Sequence, residues 1–157
     1  MFDYPQLAAL SQALRSGRAH DLYRSIERMA DTAIGFQMLT VMRYNAATSE
    51  LARVHSNHPN DYPIGGSKVK EPSPWKQALL IDCQPVLSNT PESVRAHFDD
   101  HRRLAGLGIE AILNIPIVRR GQCIGTLNLG HRAGWFSDAH IDAGIVLAAL
   151  LVCAFDD

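Results

Sequence analysis

Residues 108–136 read GIEAILNIPIVRRGQCIGTLNLGHRAGWF, and two apolar runs, 111–118 and 123–129, flank the polar break Arg119-Arg120-Gly121-Gln122. Both runs are rich in Ile, Leu and Val, and Pro116 opposes a helix through the first. Runs joined by so short a Gly-containing break predict an antiparallel hairpin. Pairing across the break sets Val118 opposite Cys123, Pro116 opposite Gly125 and Asn114 opposite Leu127. Side chains alternate along a strand, so this register puts Asn114 and Asn128 on opposite faces. Each face is mostly apolar, which places the hairpin near the middle of a sheet covered on both sides.

Upstream, Leu7, Leu10 and Leu14 recur at helical spacing as far as Gly17, and Leu22, Ile26, Met29 and Ala33 repeat the pattern as far as Gly35. Large and β-branched residues predict strands over 36–44 and 50–56. Residues 57–74 are dense in Asn, Pro and Gly, the composition of a binding lid, with a short edge strand over 65–69. Ser73-Pro74-Trp75 starts a short helix running to about Ile81, and residues 85–88 form a brief strand. Thr90-Pro91-Glu92 starts a helix running to about Leu104, and Ser137 caps the last one. That last helix is apolar on all sides from Ala143 to Phe155. A helix packed only on a sheet keeps a polar face, so part of its outer side is expected to meet the N-terminal helices and part a second subunit. The element order predicts an α+β fold: an antiparallel sheet with helices on both faces.

Composition limits the function classes. The formal net charge is −1 with no concentrated Lys/Arg run, so nucleic acid is not an expected partner. Cys83, Cys123 and Cys153 form no CxxC pair, and neither a disulfide framework nor a zinc site is expected. The start, MFDYPQLAAL, lacks the pattern of a signal peptide, and the apolar stretch 144–155 is too short to span a bilayer. No membrane association and a cytoplasmic location are expected. One domain is expected over 1–157, with N-terminal helices over 1–35, sheet and pocket elements over 36–136, and the last helix over 137–157.

Over nearly its whole length the chain resembles a GAF domain, the small-molecule-sensing relative of PAS domains. The residues that carry the resemblance are LGIEAILNIPIV at 107–118, GQCIGTLNL at 121–129, WFSD at 135–138 and the apolar last helix. Trp75 followed by CQPVLSN at 83–89 looks like the preceding helix and strand of such domains. The resemblance implies a central six-stranded antiparallel sheet. The first, second and last helices would cover one face and often dimerise, while the middle helices and long loop would enclose a pocket on the other. Three GAF subfamilies do not match. Leu129 and His140-Ile141 replace the Lys and acidic pair of cyclic-nucleotide binders, and Asp100 precedes His101 where bilin binders often carry a Cys. Free methionine sulfoxide reductases carry Cys in the segments occupied here by 72–80 and 101–110, and neither segment has one.

Tyr62 and Trp75 are candidates to stack on a flat ligand. His97 and His101, at i and i+4 on one expected helix, are candidates to contact a ligand at the pocket roof. No spacing supplies the further ligands a metal needs. Asn114 is a buried strand amide that needs a partner, which a ligand can supply. His55 and His58 read as surface loop residues, Cys123 and Cys153 as inert packing. No nucleophile–base–acid constellation emerges and no cofactor is implied, so the expectation is a non-catalytic, homodimeric small-molecule sensor signalling through its helical face. Two other readings remain open: an enzyme on a small metabolite with His97 or His101 as acid or base, and a dimerisation module whose pocket is filled.

Overall fold

In the computed structural model, which describes residues 2–155, two helices lead: α1 (Tyr4–Arg15) and α2 (Ala19–Ala33). Strands β1 (Met38–Asn45), β2 (Glu50–Ser56) and β3 (Ser67–Val69) follow. Helix α3 (Pro74–Lys76) continues as a π turn over Gln77–Ile81 and leads to β4 (Val86–Ser88). Next come α4 (Pro91–His97), α5 (His101–Gly106), β5 (Ala111–Arg119) and β6 (Gln122–His131). Helix α6 (Asp138–Leu151) ends in a 3-10 turn, Val152–Ala154. Met1, Asp156 and Asp157, at the ends of the expected 1–157 domain, lie outside the described residues. The expected caps are in place: Ser73, Thr90 and Ser137 each accept a first-turn backbone N–H at the start of α3, α4 and α6.

The six strands form one antiparallel sheet in the order β3-β2-β1-β6-β5-β4, so the hairpin lies inside it. Arg120 and Gly121 turn the chain at φ 51° and 78°, the two positive values a two-residue type I′ hairpin requires. The expected register fails one step later. Val118 does oppose Cys123, but Ile117 opposes Gly125, which leaves Ile124 as an extra residue in a bulge. Gly125 explains the distortion: a Cβ there would lie 2.4 Å from the Met42 carbonyl oxygen of the neighbouring strand. Beyond the bulge the parity is reversed. Asn114 opposes Asn128, and the two amides share a face rather than occupying opposite ones.

Alternation then sorts the core. Leu39, Val41, Leu113, Ile115, Leu127 and Leu129 pack with Ile26 and Met29 of α2 and with Leu147 and Leu151 of α6. Each such side chain, fully buried, contributes about 1.5–3 kcal/mol. The opposite face carries Met38, Thr40, Met42, Ile112, Asn114, Thr126 and Asn128 toward α3, α4 and α5.

Three further expectations are corrected. The single helix over 90–104 is two, because Phe98 is extended (φ −127°, ψ 121°) and turns inward to meet Trp75 edge to face at 6.0 Å between ring centroids. His55 is not a surface loop residue but a buried part of β2, with Nε2 2.6 Å from Glu27 Oε2 of α2 and its ring stacked on Tyr23. Cys153 is exposed rather than packed inside its helix.

Candidate functional site

Between the sheet's second face and α3–α5 lies a cavity of about 280 Å³. Small-molecule sites begin at roughly this size, about 300 Å³. Its floor is sheet: Thr40 of β1, Asn114 of β5, and Thr126 and Asn128 of β6. Leu51 and Arg53 of β2 continue it outward. Trp75 and Phe98 form an aromatic wall, and the mouth is edged by Lys68 and Lys70 on one side and Asp99, Asp100 and Arg103 on the other.

The floor is one directed chain of hydrogen bonds. An indole N–H only donates, so the contact of Trp75 Nε1 with Asn114 at 3.1 Å requires that atom of Asn114 to be the oxygen, Oδ1. Asn114 Nδ2 then donates to Asn128 Oδ1 at 2.8 Å. Asn128 Nδ2 donates in turn to Thr40 Oγ1 at 3.2 Å and Thr126 Oγ1 at 3.1 Å. Both hydroxyl oxygens are thus acceptors here, and neither hydroxyl proton has an acceptor among the described residues. All four polar residues are buried. Both threonines line the cavity, and each hydroxyl keeps a proton that it can donate to an occupant.

The long loop closes the top. Tyr62 is buried and donates its hydroxyl to Asp100 Oδ2 at 2.6 Å, latching the loop to the turn between α4 and α5. Burial, reinforced by the Asp100 carboxylate, drives the Tyr62 pKa far above that of a free phenol. It is a latch and not a nucleophile. Arg53 Nη1 holds the Pro63 carbonyl at 3.0 Å, Arg103 Nη1 holds that of Asp61 at 3.2 Å, and both guanidiniums lie over the Tyr62 ring.

Four cations and two carboxylates line the cavity, and the carboxylates are already engaged: Asp99 with Lys68 at 2.6 Å and Asp100 with Tyr62. Among the described residues, Arg53, Lys70 and Arg103 have no carboxylate at ion-pair distance. Arg53 Nε is shut off from solvent without an acceptor among the described residues. Lys70 Nζ sits 4.8 Å from the Trp75 ring centroid. Burial lowers the pKa of both Arg53 and Lys70, with the charge of Lys68 adding to the effect on Lys70.

Of the five sequence candidates, the cavity brings together Tyr62, Trp75 and Asn114. His97 and His101 stand apart from it and on two different helices. His97 is exposed with Nδ1 2.9 Å from Ser88 Oγ, while His101 borders a separate shallow depression with Arg95 and Arg102. Sequence reading missed Thr40, Thr126, Arg53, Lys68, Lys70 and Phe98. The period-two alternation of Thr40 with Leu39 and Val41 was the available signal for the first. Among the described residues no group of three or more His, Cys, Asp or Glu side chains is placed to hold a metal ion, and no helix is long and apolar enough to cross a membrane.

A sequence model of the GAF-domain family matches residues 12–156. The chain belongs to the GAF family. Solved structures agree on the fold. A GAF/HD-domain protein from Geobacter sulfurreducens superposes with a TM-score of 0.70 at 16% identity, covering 86% of this chain and 91% of that one. The GAF domain of a two-component sensor histidine kinase from Bacillus halodurans gives 0.67 at 18%, covering 85% and 92%. The chromophore-binding domain of a bacteriophytochrome from R. palustris gives 0.65 at 14%, covering 92% of this chain and 58% of that one. No curated protein sequence matches. GAF domains of signalling proteins are sensory and regulatory modules, and this chain has their sheet, their helical layers and a cavity between sheet and loop.

Proposed function

We propose that this GAF domain is a non-catalytic small-molecule sensor in the cytoplasm that signals as a homodimer through its helical face. The observation that carries the reading is the cavity itself: polar demand left open on a buried floor, under an aromatic wall and a latched loop.

The output side is the helical layer. Ile145 and Val146 of α6 are 45% and 47% exposed, and Leu7 and Leu14 of α1 are 39% and 44% exposed. Exposed apolar residues on the helices of one layer are what an isologous dimer would bury. Replacing Ile145 and Val146 by Lys is expected to give monomers at micromolar concentration by sedimentation velocity while the parent sediments as a dimer. A monomeric parent overturns the dimer.

Ligand binding is tested by thermal denaturation against nucleotides, amino acids and organic acids, amines and amides. A ligand at 100 times its Kd adds about 2.7 kcal/mol, and about 2–4 °C of Tm accompanies each kcal/mol in a chain this size. A rise of several degrees with at least one class is expected, and no rise with any class refutes the sensor reading.

A further inference from the structure

Resting on the reading of this cavity as a sensor site, we propose that its ligand is a small organic acid with a second hydrogen-bond acceptor beside the carboxylate, such as a 2-oxo acid with a flat or branched apolar body. The polarity of the floor comes first. Because Trp75 can only donate, each bond from Asn114 to Asn128 to the threonines has one permitted direction, and the chain ends in the hydroxyl protons of Thr40 and Thr126. The floor therefore asks for an acceptor: a carbonyl or carboxylate oxygen satisfies it, whereas an ammonium group, which only donates, does not.

The charge at the opening points the same way. Among the described residues Arg53 and Lys70 line the cavity with no carboxylate at ion-pair distance, and burial disfavours both charges more than the more distant Asp100 supports them. An anion between them relieves that cost; a cation raises it. Sheet register ties the two donor groups together, since Met42 pairs with Arg53 on one side and with Thr126 on the other. Two strand spacings of roughly 4.8 Å put about 10 Å between their Cα atoms. The Arg53 and Thr126 side chains both line the cavity within that interval, so the carboxylate can face the cations while the adjacent oxo group faces the floor. Trp75 and Phe98 supply the apolar surface for its body.

Matched probes test this. Phenylglyoxylate and 4-methyl-2-oxopentanoate carry both features; phenylglyoxylamide removes the charge, phenylacetate removes the second acceptor, and benzylamine reverses the charge. Trp75 reports binding by its fluorescence once Trp135→Phe has removed the other tryptophan, which lies outside the cavity against His131. At least one oxo acid is expected to bind ten-fold or more tighter than the amide and three-fold or more tighter than phenylacetate. Lys70→Met, which keeps the stem over Trp75, and Arg53→Gln are each expected to weaken the oxo acid ten-fold and leave phenylglyoxylamide unchanged. Amide or amine binding that equals the acids, or acid affinity that survives both variants, overturns the proposal and leaves the sensor reading standing. Silence from every class, with circular dichroism showing a folded protein, overturns both.

Discussion

The pairing of Asn114 with Asn128 is the point at which the reversed parity of the hairpin becomes measurable. Asn114→Leu leaves two buried groups without partners, Trp75 Nε1–H and Asn128 Oδ1. Each buried orphan costs about 1–3 kcal/mol, so the expected loss is roughly 2–6 kcal/mol. Asn128→Leu strands Asn114 Nδ2 alone, because the threonine hydroxyls it releases are free to rotate, and should cost about 1–3 kcal/mol. The double variant removes both halves of the Asn–Asn bond and keeps only the orphaned indole. Its loss must then fall short of the sum of the singles by the two orphans it no longer carries, about 2–6 kcal/mol. Urea unfolding followed by far-ultraviolet circular dichroism reads all four corners of the cycle. Had the two amides lain on opposite faces, as unbroken alternation predicts, the losses would add to within about 0.5 kcal/mol. Additivity at that level would refute the shared face and with it the floor.

Three other outcomes are expected. Tyr62→Phe removes the bond that latches the loop to Asp100; a hydrogen bond to a charged group contributes about 1.5–3 kcal/mol, so trypsin should cut faster at Lys68 and Lys70 than in the parent, and an unchanged rate refutes the latch. Burial pushes the Cys123 thiol up from 9.0 to about 11, so between those values the unfolded chain releases a proton that the folded chain keeps, and stability should fall as pH rises through that window. Cys123→Ala should fall less steeply there, and iodoacetamide at pH 8 should label exposed Cys153 well before buried Cys123; equal slopes or equal labelling contradict the burial. Gly125→Ala, whose Cβ would meet the Met42 carbonyl at 2.4 Å and Phe155 at 3.0 Å, should cost at least the 1–3 kcal/mol or so of an overpacked site by urea unfolding, and a neutral result would remove Gly125 as the cause of the bulge.

Local signals carried most of the fold. The caps at Ser73, Thr90 and Ser137, the Arg120-Gly121 turn and the alternation of β1 and β6 are all short-range, and each leaves its mark on neighbouring residues. The site was less legible because it depends on where alternation breaks. Counting residues across the hairpin assumes one against one, and Ile124 violates that. Gly125, inside the mostly apolar run of β6, was the available sign of close backbone approach there. His97 and His101 share a helical face only if the helix continues through Phe98, and Phe98 is drawn instead to Trp75, a residue far away in sequence. Arg53 on β2, Lys68 on β3 and Lys70 just after it sit in no motif, and only the pairing of β3 with β2 brings them together at the cavity. His55 looked like a loop residue because its partner, Glu27, lies on a helix 28 positions earlier.

The sheet also joins the cavity to the outer helical surface proposed above as a dimer face. Every strand that floors the cavity presents its next residue to the helices: Thr40 is flanked by Leu39 and Val41, Asn114 by Leu113 and Ile115, and Asn128 by Leu127 and Leu129. Ile115 meets α6 where the helix has a glycine, Gly144, whose Cβ would stand 3.0 Å from the Ile115 Cγ1. The next two residues of α6 are Ile145 and Val146, the exposed pair on the outer surface. From the Asn114 amide to the outside of the helical layer there are thus two steps, one along a strand and one across a close contact. A side chain at 144 would hold the helix off the sheet, so glycine there keeps the two layers in direct register. The contacts between the floor amides and the outer surface thus run through packed strand and helix throughout.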